Sequence, residues 1–273
     1  MESPSGAAPR NLHPPRLPAT VSGRNLCPSM RFRDALLSMM DRKNHWAWPY
    51  FSGPQAPRRH LLIHYQQEYL TYVRDFPQFL GRIHGQCPDP ASRRLLAENL
   101  YEEETGGLSR TAPHPDLFLK MMSGLGFNPG RFSTAHLLPA AARYRRWLDR
   151  ATQREPWFVG AAVVTIFVEG SVNDRVVLAN GNGASIPQKF DPRNEPLFRH
   201  HGVPASLLTL KRAHARVENG HRQAAWEIVE RHAKGASSRA QVIDAVKTSL
   251  RLWLAFRDGV ATAVRLVPPD SVR

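Results

Sequence analysis

His214-Ala-Arg-Val-Glu218-Asn-Gly-His221 forms the centre of a segment with helical periodicity. Offsets of four and seven residues nearly complete whole turns of an α-helix, so the two histidines and the carboxylate share one narrow stripe. Leu207 and Leu210 before them, and Ala225 and Ile228 after them, continue this stripe. An apolar stripe faces a protein core. The periodicity therefore predicts a buried helix that carries three titratable side chains inward.

Titratable side chains on such a stripe require partners, because burying them unpaired costs free energy. A transition-metal cation is a partner that fits imidazole and carboxylate together. The chain has 12 histidines, so two of them at heptad spacing are also compatible with an ordinary surface helix. The metal interpretation therefore depends on further ligands from other segments.

The composition fits a globular protein of one large domain or two small ones. The 273 residues are 42% hydrophobic, which is enough for a packed core. Cys27 and Cys87 stand in dissimilar contexts, which argues against a disulfide framework or a thiolate zinc site and suits a reducing cytoplasm. The longest apolar run, Trp157 to Val168, is too short to span a bilayer. The N-terminus lacks the pattern of a secretory signal, so we expect a cytoplasmic protein.

The net charge of +14 raises the question of a nucleic-acid or anionic-membrane partner. The basic residues are mostly arginines, scattered over nearly every predicted helix instead of gathered into one stripe. No zinc-finger, RNA-recognition or glycine-rich phosphate motif accompanies them. We therefore interpret the charge mainly as a solvated surface, and we expect neither nucleic acid nor membrane as a partner.

The chain divides into a leader, a helical domain and a tail. Residues 1–28 contain six prolines and few large apolar groups, which predicts a disordered leader. A helical domain is expected over residues 29–265, with a short tail at 266–273. Strand alternation is weak, which predicts an all-α bundle. Asn180–Asn194 is rich in Gly, Asn and Pro and is expected to be a lid or a variable insertion. Helices are predicted at residues 31–42, 58–84 (a helix pair or one helix bent at Pro77), 89–104, 115–125, 134–151, 156–178, 204–232 and 237–264.

Three adjacent glutamates, Glu102 to Glu104, close the helix that begins at Asp89-Pro90 and stops at Gly106-Gly107. Helical geometry places Glu103 on the apolar side and its two neighbours elsewhere. Adjacent glutamates also commonly form a solvated helix end. His114 begins the next helix, and a loop that reverses the chain would bring it beside Glu103.

Glu169 ends the most apolar stretch of the chain, Ala161 to Val168. A carboxylate there pairs with an arginine, binds a metal, or stays protonated with a raised pKa. If the helices converge, Glu103, His114, Glu169 and the 214–221 stripe supply three carboxylates and three histidines. Oxygen and imidazole ligands without thiolate suit two octahedral iron or manganese ions with open positions left over.

Asn99-Leu-Tyr-Glu-Glu103-Glu-Thr-Gly106-Gly, followed by His114-Pro-Asp-Leu-Phe, resembles the haem-oxygenase-like family of diiron oxidases and oxygenases. His214-x-x-x-Glu218-x-x-His221 in a late helix is similar to the same family, whose members more often carry Asp at the middle position. Phe76-Pro-Gln-Phe79-Leu also resembles this superfamily, which includes pyrroloquinoline-quinone synthase and the TenA-type proteins. The resemblance covers residues 30–260, and its motifs occur in the family's order.

The resemblance implies a haem-oxygenase-like bundle of about seven helices, with two irons between its central helices. The Asn-Leu-Tyr-Glu-Glu frame favours Glu103 over Glu104 as a ligand. Glu218 is longer by one methylene than the family's Asp, which changes how the second iron is held. The matching ligand positions are Glu103, His114, Glu169, His214, Glu218 and His221.

The resemblance further implies two Fe(II) ions, or an iron–manganese pair, with dioxygen as co-substrate. The substrate is then a small metabolite, amino-acid-like or fatty-acid-like, in natural-product or cofactor biosynthesis. An external electron donor and a homodimer are compatible with this pattern. The sequence identifies no catalytic residue beyond the metal ligands.

Two alternatives stay open. The first is a metal-free member of the same fold, either a cofactorless oxidase or a thiaminase-like hydrolase. The hydrolase needs a nucleophilic cysteine, and neither Cys27 in the leader nor Cys87 before the Asp89 helix is well placed. The second is a non-catalytic protein that binds its partners through the basic surface.

Two further features bear on a substrate pocket. Lys211 lies less than a turn before His214, where it faces solvent or holds a substrate carboxylate. An aromatic cluster is expected either to pack the end of the bundle or to line the pocket, and it consists of Trp46, Trp48, Tyr50 and Phe51.

Overall fold

The computed structural model describes residues 28–179 and 190–268. Over these residues the chain is helical and contains no strand, which confirms the all-α prediction. Short 3₁₀ turns lie at Pro192–Asn194 and Ala205–Leu207. The helices are α1 Pro28–Asp41, α2 Trp48–Ser52, α3 Arg58–Glu68 with a π-helical continuation at Tyr69–Val73, α4 Phe76–Gln86, α5 Pro90–Thr105, α6 His114–Gly124, α7 Gly130–Ser133, α8 Pro139–Gln153, α9 Trp157–Ala161 with a π-helical continuation at Ala162–Val168, α10 Asp174–Ala179, α11 Pro196–His201, α12 Thr209–His232 and α13 Ala236–Ala263.

Helix α5 begins and ends where its capping residues predict. The side chain of Asp89 accepts a hydrogen bond from the backbone N–H of Ser92 at 2.9 Å, and Pro90 occupies the first turn. At the other end Gly106 has a φ of 64°, a left-handed conformation that glycine adopts without strain. The chain then reverses, and α6 begins at His114. The last turn of α5 consequently lies beside the first turn of α6.

Residues 58–84, predicted as a helix pair or one bent helix, form a pair. The π-helical turn of α3 ends at Val73, and the chain breaks at Arg74-Asp75. The kink predicted at Pro77 is wrong, because this proline lies in the first turn of α4, where its missing N–H is not needed. Asp75 is paired at the break with Arg74 and with Arg145 of α8.

The apolar helix predicted over residues 156–178 ends earlier, just before Glu169. Gly170 follows, and a Cβ atom there would lie 2.2 Å from the carbonyl oxygen of Ile166 and 2.5 Å from Oδ2 of Asp174. Only glycine allows so close a return of the chain. Glu169 is therefore placed at the end of a buried helix, with its side chain beyond the last turn.

Two other predicted boundaries are shifted. The helix predicted from residue 134 begins at Pro139, whose fixed φ suits the first helical position. The helix predicted from residue 204 begins at Thr209, after a 3₁₀ turn. The short helix α2, which contains Trp48, Tyr50 and Phe51 of the aromatic cluster, was not predicted.

The titratable stripe of α12 faces other helices and is not turned to solvent. α12 packs against α5, α6 and α9, whereas α13 packs against α1, α8 and α9. Val163, Val164 and Phe167 of the apolar run are fully buried at the centre of this arrangement. Among the described residues, no helix has the length and apolar character needed to cross a membrane.

Several sequence expectations concern residues that the structure does not describe. The predicted leader at residues 1–28 lies outside the described residues except for Pro28, which begins α1. Residues 180–189 of the Asn180–Asn194 insertion and residues 269–273 of the tail also lie outside them. The domain limits of 29–265 stay a prediction.

Candidate metal centre

Side chains from several helices line an internal cavity of about 150 Å³. The polar part of the lining comes from α5, α6, the end of α9 and α12, and Val73, Phe76, Val168 and Val217 are among its apolar residues. All six residues that the resemblance implies as metal ligands line this cavity: Glu103, His114, Glu169, His214, Glu218 and His221. The fold thus brings together side chains that are far apart in the sequence.

The tightest group in the cavity consists of Glu103, His114 and His214. Nδ1 of His114 lies 2.9 Å from Oε1 of Glu103. The rings of His114 and His214 have centroids 5.0 Å apart. Each of the three residues offers a ligand atom, and these atoms all lie within 4.8 Å of one another. Glu103 is buried whereas Glu104 is exposed, so Glu103 is the one that faces the cavity.

Glu102, which helical geometry places away from the core, is in fact completely buried and contacts His114. Its Oε1 atom lies 3.0 Å from Nε2 of His114. Its Oε2 atom accepts the backbone N–H groups of Leu108 and Ser109 at 2.8 and 3.0 Å. The expectation that Glu102 points away from the core is wrong because the chain folds back after α5 and covers this side of the helix. The periodicity of a single helix carries no information about such a loop.

The contact with Glu102 determines the tautomer of His114. An ionised carboxylate only accepts hydrogen bonds, so Nε2 of His114 carries the proton that faces it. In the neutral ring, Nδ1 is then the nitrogen with the lone pair, and it lies on the cavity side of the ring beside Glu103. A carboxylate that orients a histidine in this way is the usual outer partner of a metal-binding imidazole.

Replacing Glu102 with glutamine is expected to weaken metal binding about 10- to 100-fold. The carboxylate of Glu102 accepts hydrogen bonds from three groups, the amides of Leu108 and Ser109 and the ring of His114. A glutamine amide has one acceptor oxygen, and its NH₂ group would face one of these donors. Competition with a chromogenic chelator measures the affinity. Glu104→Gln, an exposed neighbour with the same chemical change, is expected to bind metal like the unmodified protein. Equal affinities of the two variants would contradict the role given to Glu102.

A second group consists of Glu169 and His221. Oε1 of Glu169 lies 3.1 Å from Nδ1 of His221, and Oε2 of Glu169 accepts a hydrogen bond from Nδ2 of Asn99 at 2.9 Å. Asn99 lies one turn before Glu103 on α5. Helix α5 therefore contributes the carboxylate of Glu103 to the cavity and, through Asn99, also positions the carboxylate of Glu169. Glu169 is thereby fixed although it lies beyond the end of its own helix.

Glu218 and Arg222 extend the site along α12. Oε1 of Glu218 lies 3.4 Å from Nδ1 of His214, and its Oε2 atom accepts a hydrogen bond from Nη2 of Arg222 at 3.1 Å. Nε of Arg222 lies 3.2 Å from Oδ1 of the buried Asp174. The three residues of α12 are spaced four apart and share one face. Arg222 therefore links α12 to α10 and orients the carboxylate of Glu218.

Burial and neighbouring charges shift the pKa values in the cavity in opposite directions. Burial raises the pKa of the Glu103 carboxyl, and the nearby Glu169 charge adds to this, against the opposing effect of His114. Burial lowers the pKa of His114, but the carboxylates of Glu103 and Glu102 outweigh it, so the pKa is raised. The pKa of His221 is raised in the same way, because Glu169 outweighs burial. In the absence of a cation, protons therefore hold this carboxylate–imidazole cluster together.

His214 differs from the other two histidines. Burial, together with the positive neighbours His114 and Lys211, lowers the pKa of its imidazole to about 3. Its side chain is 35% exposed and lines both cavities. His214 is therefore a neutral imidazole at physiological pH, which is the form that binds a metal ion.

The donor atoms of this cavity fit a metal cation. Nε2 of His221 is buried and has no hydrogen-bond partner, and Nδ1 of His114 is buried with Oε1 of Glu103 at 2.9 Å. In each ring the other nitrogen faces a carboxylate, Glu102 or Glu169, so the nitrogen on the cavity side presents a lone pair whenever the ring is neutral. The donors are carboxylate oxygens and imidazole nitrogens without thiolate, a set that suits iron.

A larger cavity of about 590 Å³ adjoins the first. Tyr72, Leu210 and His214 are among the residues that line both cavities. Lys211 lines the larger cavity, as do Trp48 and Phe51 from the aromatic cluster. The other two aromatic residues of that cluster pack elsewhere, Trp46 against Asp258 and Tyr50 against His60.

Cys87 does not supply the nucleophile of a thiaminase-like site. It is buried, its Sγ atom lies 3.5 Å from the backbone oxygen of Asp89, and it lines neither cavity. Burial also raises the pKa of its thiol, which disfavours the reactive thiolate. Cys27 lies outside the described residues.

Sequence reasoning missed three residues that support the site: Glu102, Asn99 and Arg222. For two of them a signal was available, since Asn99 and Arg222 each stand four residues from a candidate ligand on the same helix. For Glu102 no such signal exists, because its partners are loop amides and a residue on another helix.

The chain matches the family of iron-containing redox enzymes over residues 63–254. Because this match covers more than half of the chain, the protein belongs to that family, a class of iron oxidoreductases. The family membership confirms the resemblance inferred from the sequence motifs, and every proposed ligand lies within the matched residues.

Among individual proteins, the chain is similar to 4-aminobenzoate synthases of three bacteria. It is 25% identical to that of Nitrosomonas europaea over 211 residues, which cover 74% of this chain and 78% of that protein. It is 32% identical to that of Chlamydia trachomatis over 125 residues, 43% of this chain and 52% of that protein. It is 29% identical to that of Chlamydia muridarum over 126 residues, 44% and 51% respectively. The match thus spans about half the length of the two Chlamydia proteins.

Two solved structures share the fold. A TenA homologue from Pseudomonas syringae superposes with a TM-score of 0.64 at 12% identity, over 85% of this chain and 92% of that one. A domain with a haem-oxygenase-like fold from Shewanella denitrificans gives a TM-score of 0.61 at 13% identity, over 86% and 91%. These likenesses confirm the predicted haem-oxygenase-like bundle.

Proposed function

We propose that this protein holds two ferrous ions in the cavity between α5, α6, α9 and α12 and uses dioxygen to oxidise a small metabolite. The observation that carries the proposal is the convergence of three carboxylates and three histidines on one cavity. Membership of the family of iron-containing redox enzymes supports iron as the metal.

The proposed ligands fall into two sets. Glu103, His114 and His214 offer atoms within 4.8 Å of one another, which suits the donors of one ion. Glu169 and His221 offer a second set, 3.1 Å apart. Glu218, at 3.4 Å from His214, is the sixth ligand in this proposal and is held in place by its own arginine partner.

The residues around the ligands prepare the site for redox chemistry. Bound ferrous iron supplies electrons for the reduction of dioxygen coupled to substrate oxidation. Val73, Phe76 and Val217 form part of the apolar lining beside the ligands. Glu102 and Asn99 fix the orientations of a histidine and a carboxylate before any ion binds, so little reorganisation is needed.

The similarity to 4-aminobenzoate synthases supports a narrower proposal about the product. We propose that the reaction belongs to the biosynthesis of a small metabolite, with 4-aminobenzoate as the first product to assay. Iron-loaded protein exposed to oxygen and a reductant, followed by mass spectrometry of the small molecules released, tests this directly. Absence of 4-aminobenzoate while oxygen is consumed would redirect the search to another substrate.

Metal analysis tests the proposed centre. Full-length protein loaded under argon is expected to bind about two ferrous ions per chain and to form a coloured transient on exposure to oxygen. His214→Ala is expected to lose bound iron and the transient. The matched control is His136→Ala, because His136 is exposed and lines neither cavity. A protein that binds no iron, or in which the two variants behave alike, contradicts the proposal.

We also propose that the substrate is a small molecule, that an external donor supplies electrons, and that the protein acts in the cytoplasm as a monomer or a homodimer. The net charge of +14 is interpreted as surface solvation, without nucleic acid or membrane as a partner. Salt-sensitive binding to DNA or to anionic vesicles by the iron-loaded protein would contradict that interpretation.

A further inference from the structure

Four exposed arginines form a positive surface along α8, the arginine stripe. Arg143, Arg146 and Arg150 stand three and four residues apart, so they share one face of the helix. Arg154 follows four residues later, directly after the last turn. Tyr144, on the inward face of the same helix, is completely buried. The arginine stripe extends over about 16 Å, since an α-helix rises about 1.5 Å per residue.

Most of the charge of the arginine stripe is unpaired. Nε of Arg150 lies 3.1 Å from Oε1 of Glu155, whereas the other three arginines have no ion-pair partner among the described residues. Asp149, the acidic residue of α8, is paired with Arg82 of α4 and with Arg145 instead. The arginine stripe therefore keeps a net positive charge on the surface.

The helices on either side of α8 do not neutralise this charge. α8 packs between α4 and α13. The exposed side chains of α4, Gln78 and Gln86, are uncharged. The exposed charges of α13 balance one another, and they are Asp244, Lys247, Arg251 and Asp258. The excess positive charge on this side of the molecule consequently lies on α8.

A line of aromatic rings connects α8 with the metal cavity. The ring centroid of Tyr144 lies 6.0 Å from that of Trp253 on α13. The ring of Trp253 lies 5.9 Å from that of Tyr72, and Tyr72 lines the metal cavity. Both spacings are typical of aromatic rings in contact. The helix that carries the arginine stripe is thus joined to the metal cavity by packed rings.

An acidic protein surface is the partner that suits the arginine stripe best. Complementary charges steer two proteins together and fix their relative orientation. DNA also binds arginines, but a nucleic acid gives no role to the rings that connect α8 with the metal cavity. The proposed oxidation takes electrons from an external donor, and a small acidic electron-carrier protein accounts for both the charge and the rings.

We propose that the arginine stripe of α8 docks a small acidic electron-carrier protein that reduces the iron centre. This inference rests on the proposed function and names the kind of electron donor that serves it. Each reduced carrier gives up one electron and leaves oxidised, so two carriers in succession return two ferric ions to the ferrous state.

Calorimetric titration of the iron-loaded full-length protein with an acidic [2Fe–2S] ferredoxin tests the docking. Unmodified protein is expected to bind the ferredoxin at low salt and to lose affinity as the salt concentration rises. A stripe variant combines Arg143→Gln, Arg146→Gln and Arg150→Gln. It is expected to bind the ferredoxin about tenfold more weakly at low salt, with a smaller dependence on salt.

Two controls make this test specific. The matched variant combines Arg59→Gln, Arg94→Gln and Arg131→Gln, which remove three exposed arginines from other helices and change the net charge by the same amount. It is expected to bind the ferredoxin like the unmodified protein. A basic cytochrome c, an electron carrier of opposite charge, is expected not to bind either protein.

The rate of electron transfer tests the function of the docking surface. Absorbance changes after rapid mixing follow the reduction of the oxidised iron centre. Reduction by the ferredoxin is expected to be about tenfold slower in the stripe variant. Reduction by dithionite, a small molecule that needs no docking surface, is expected to proceed at the same rate in both proteins. Iron content is expected to be equal in both, because the three arginines line neither cavity.

The outcomes separate this inference from the proposed function. The inference is overturned if the ferredoxin does not bind, if the stripe variant binds it or is reduced by it like the unmodified protein, or if double-stranded DNA binds the same arginines more tightly. Iron uptake and reduction by dithionite would in those cases leave the proposed function intact. Ferredoxin binding that depends on the arginine stripe, in a protein that takes up no iron, would support the docking surface and overturn the proposed function.

Discussion

Glu103→Ala is expected to lower bound iron from about two ions per chain to fewer than one, and to reduce the oxidation rate to the background level. Glu103 belongs to the group of three side chains whose ligand atoms lie within 4.8 Å of one another. Its charge also acts on His114 and His221, which lie in the two different sets of proposed ligands. Removing this carboxylate therefore leaves two carboxylates and three imidazoles for two positive ions, and it leaves His114 and His214 without a carboxylate in their set.

The neighbouring glutamate provides the control for this prediction. Glu104→Ala makes the same chemical change one residue later, at an exposed position, and is expected to retain iron and activity. Metal analysis and oxygen consumption are measured on both proteins, with circular dichroism to confirm that both are folded. If the Glu104 variant loses iron and the Glu103 variant keeps it, the proposed ligand set is wrong.

Lys43→Met is expected to lower the free energy of unfolding by about 3 kcal/mol. The ammonium of Lys43 donates to three carbonyl oxygens at the end of α9, where a helix has no donors of its own to offer. It also lies 4.9 Å from the ring centroid of Trp253. Methionine keeps most of the side-chain volume but leaves the carbonyls unpaired. The cost of desolvating the charge in the native protein offsets part of this loss.

Urea denaturation at about pH 6, where Lys43 is protonated in the folded protein, measures the effect, and Lys247→Met is the matched control. Lys247 is exposed on α13, so its replacement is expected to change the free energy of unfolding by less than about 0.5 kcal/mol. Lys43 also anchors the carbonyls on both sides of Glu169, and its loss is expected to weaken iron binding as well. A stable Lys43 variant with normal iron content would refute both expectations.

The stability of the unmodified protein relative to Lys43→Met is expected to rise with pH between about 7 and 10.5. Burial lowers the pKa of Lys43 from 10.5 to about 7, against the opposing effect of Asp174. In this window the unfolded chain binds a proton that the folded chain does not, so unfolding becomes less favourable as pH rises. The free-energy cost of burying the charged ammonium is fully present below about pH 7 and disappears above pH 10.5. If the difference in unfolding free energy between the unmodified protein and Lys43→Met stays constant across this pH range, Lys43 is charged in the folded protein throughout.

Much of the fold follows from local signals in the sequence. The start of α5 at Asp89-Pro90 and its end at Gly106 are set by capping chemistry within a few residues, so they could be predicted. The extent of α13 was also predictable from its long apolar period, because it ends within one residue of the expected limits. The π-helical segments and the break at Gly170 could not be predicted, since they depend on how distant side chains pack.

The site was predictable to the extent that it lies on helical stripes. The 214–221 motif directed three side chains inward, and the reversal after Gly106 brought His114 to Glu103 as expected. The position of Glu102 and the larger cavity could not be derived, because both arise from contacts between segments far apart in the chain. Resemblance to a family supplied Glu169, for which the residues alone left a salt bridge and a metal equally open.

Hydrogen exchange in the loop after α5 is expected to report whether the metal centre is occupied. Glu102 accepts the amides of Leu108 and Ser109 and also holds His114, so local opening of this loop releases a proposed ligand. If opening requires the ion to leave, free iron at about ten times its dissociation constant slows deuterium uptake at these two amides about tenfold. Mass spectrometry of peptides from this loop would therefore report metal occupancy without any knowledge of the substrate.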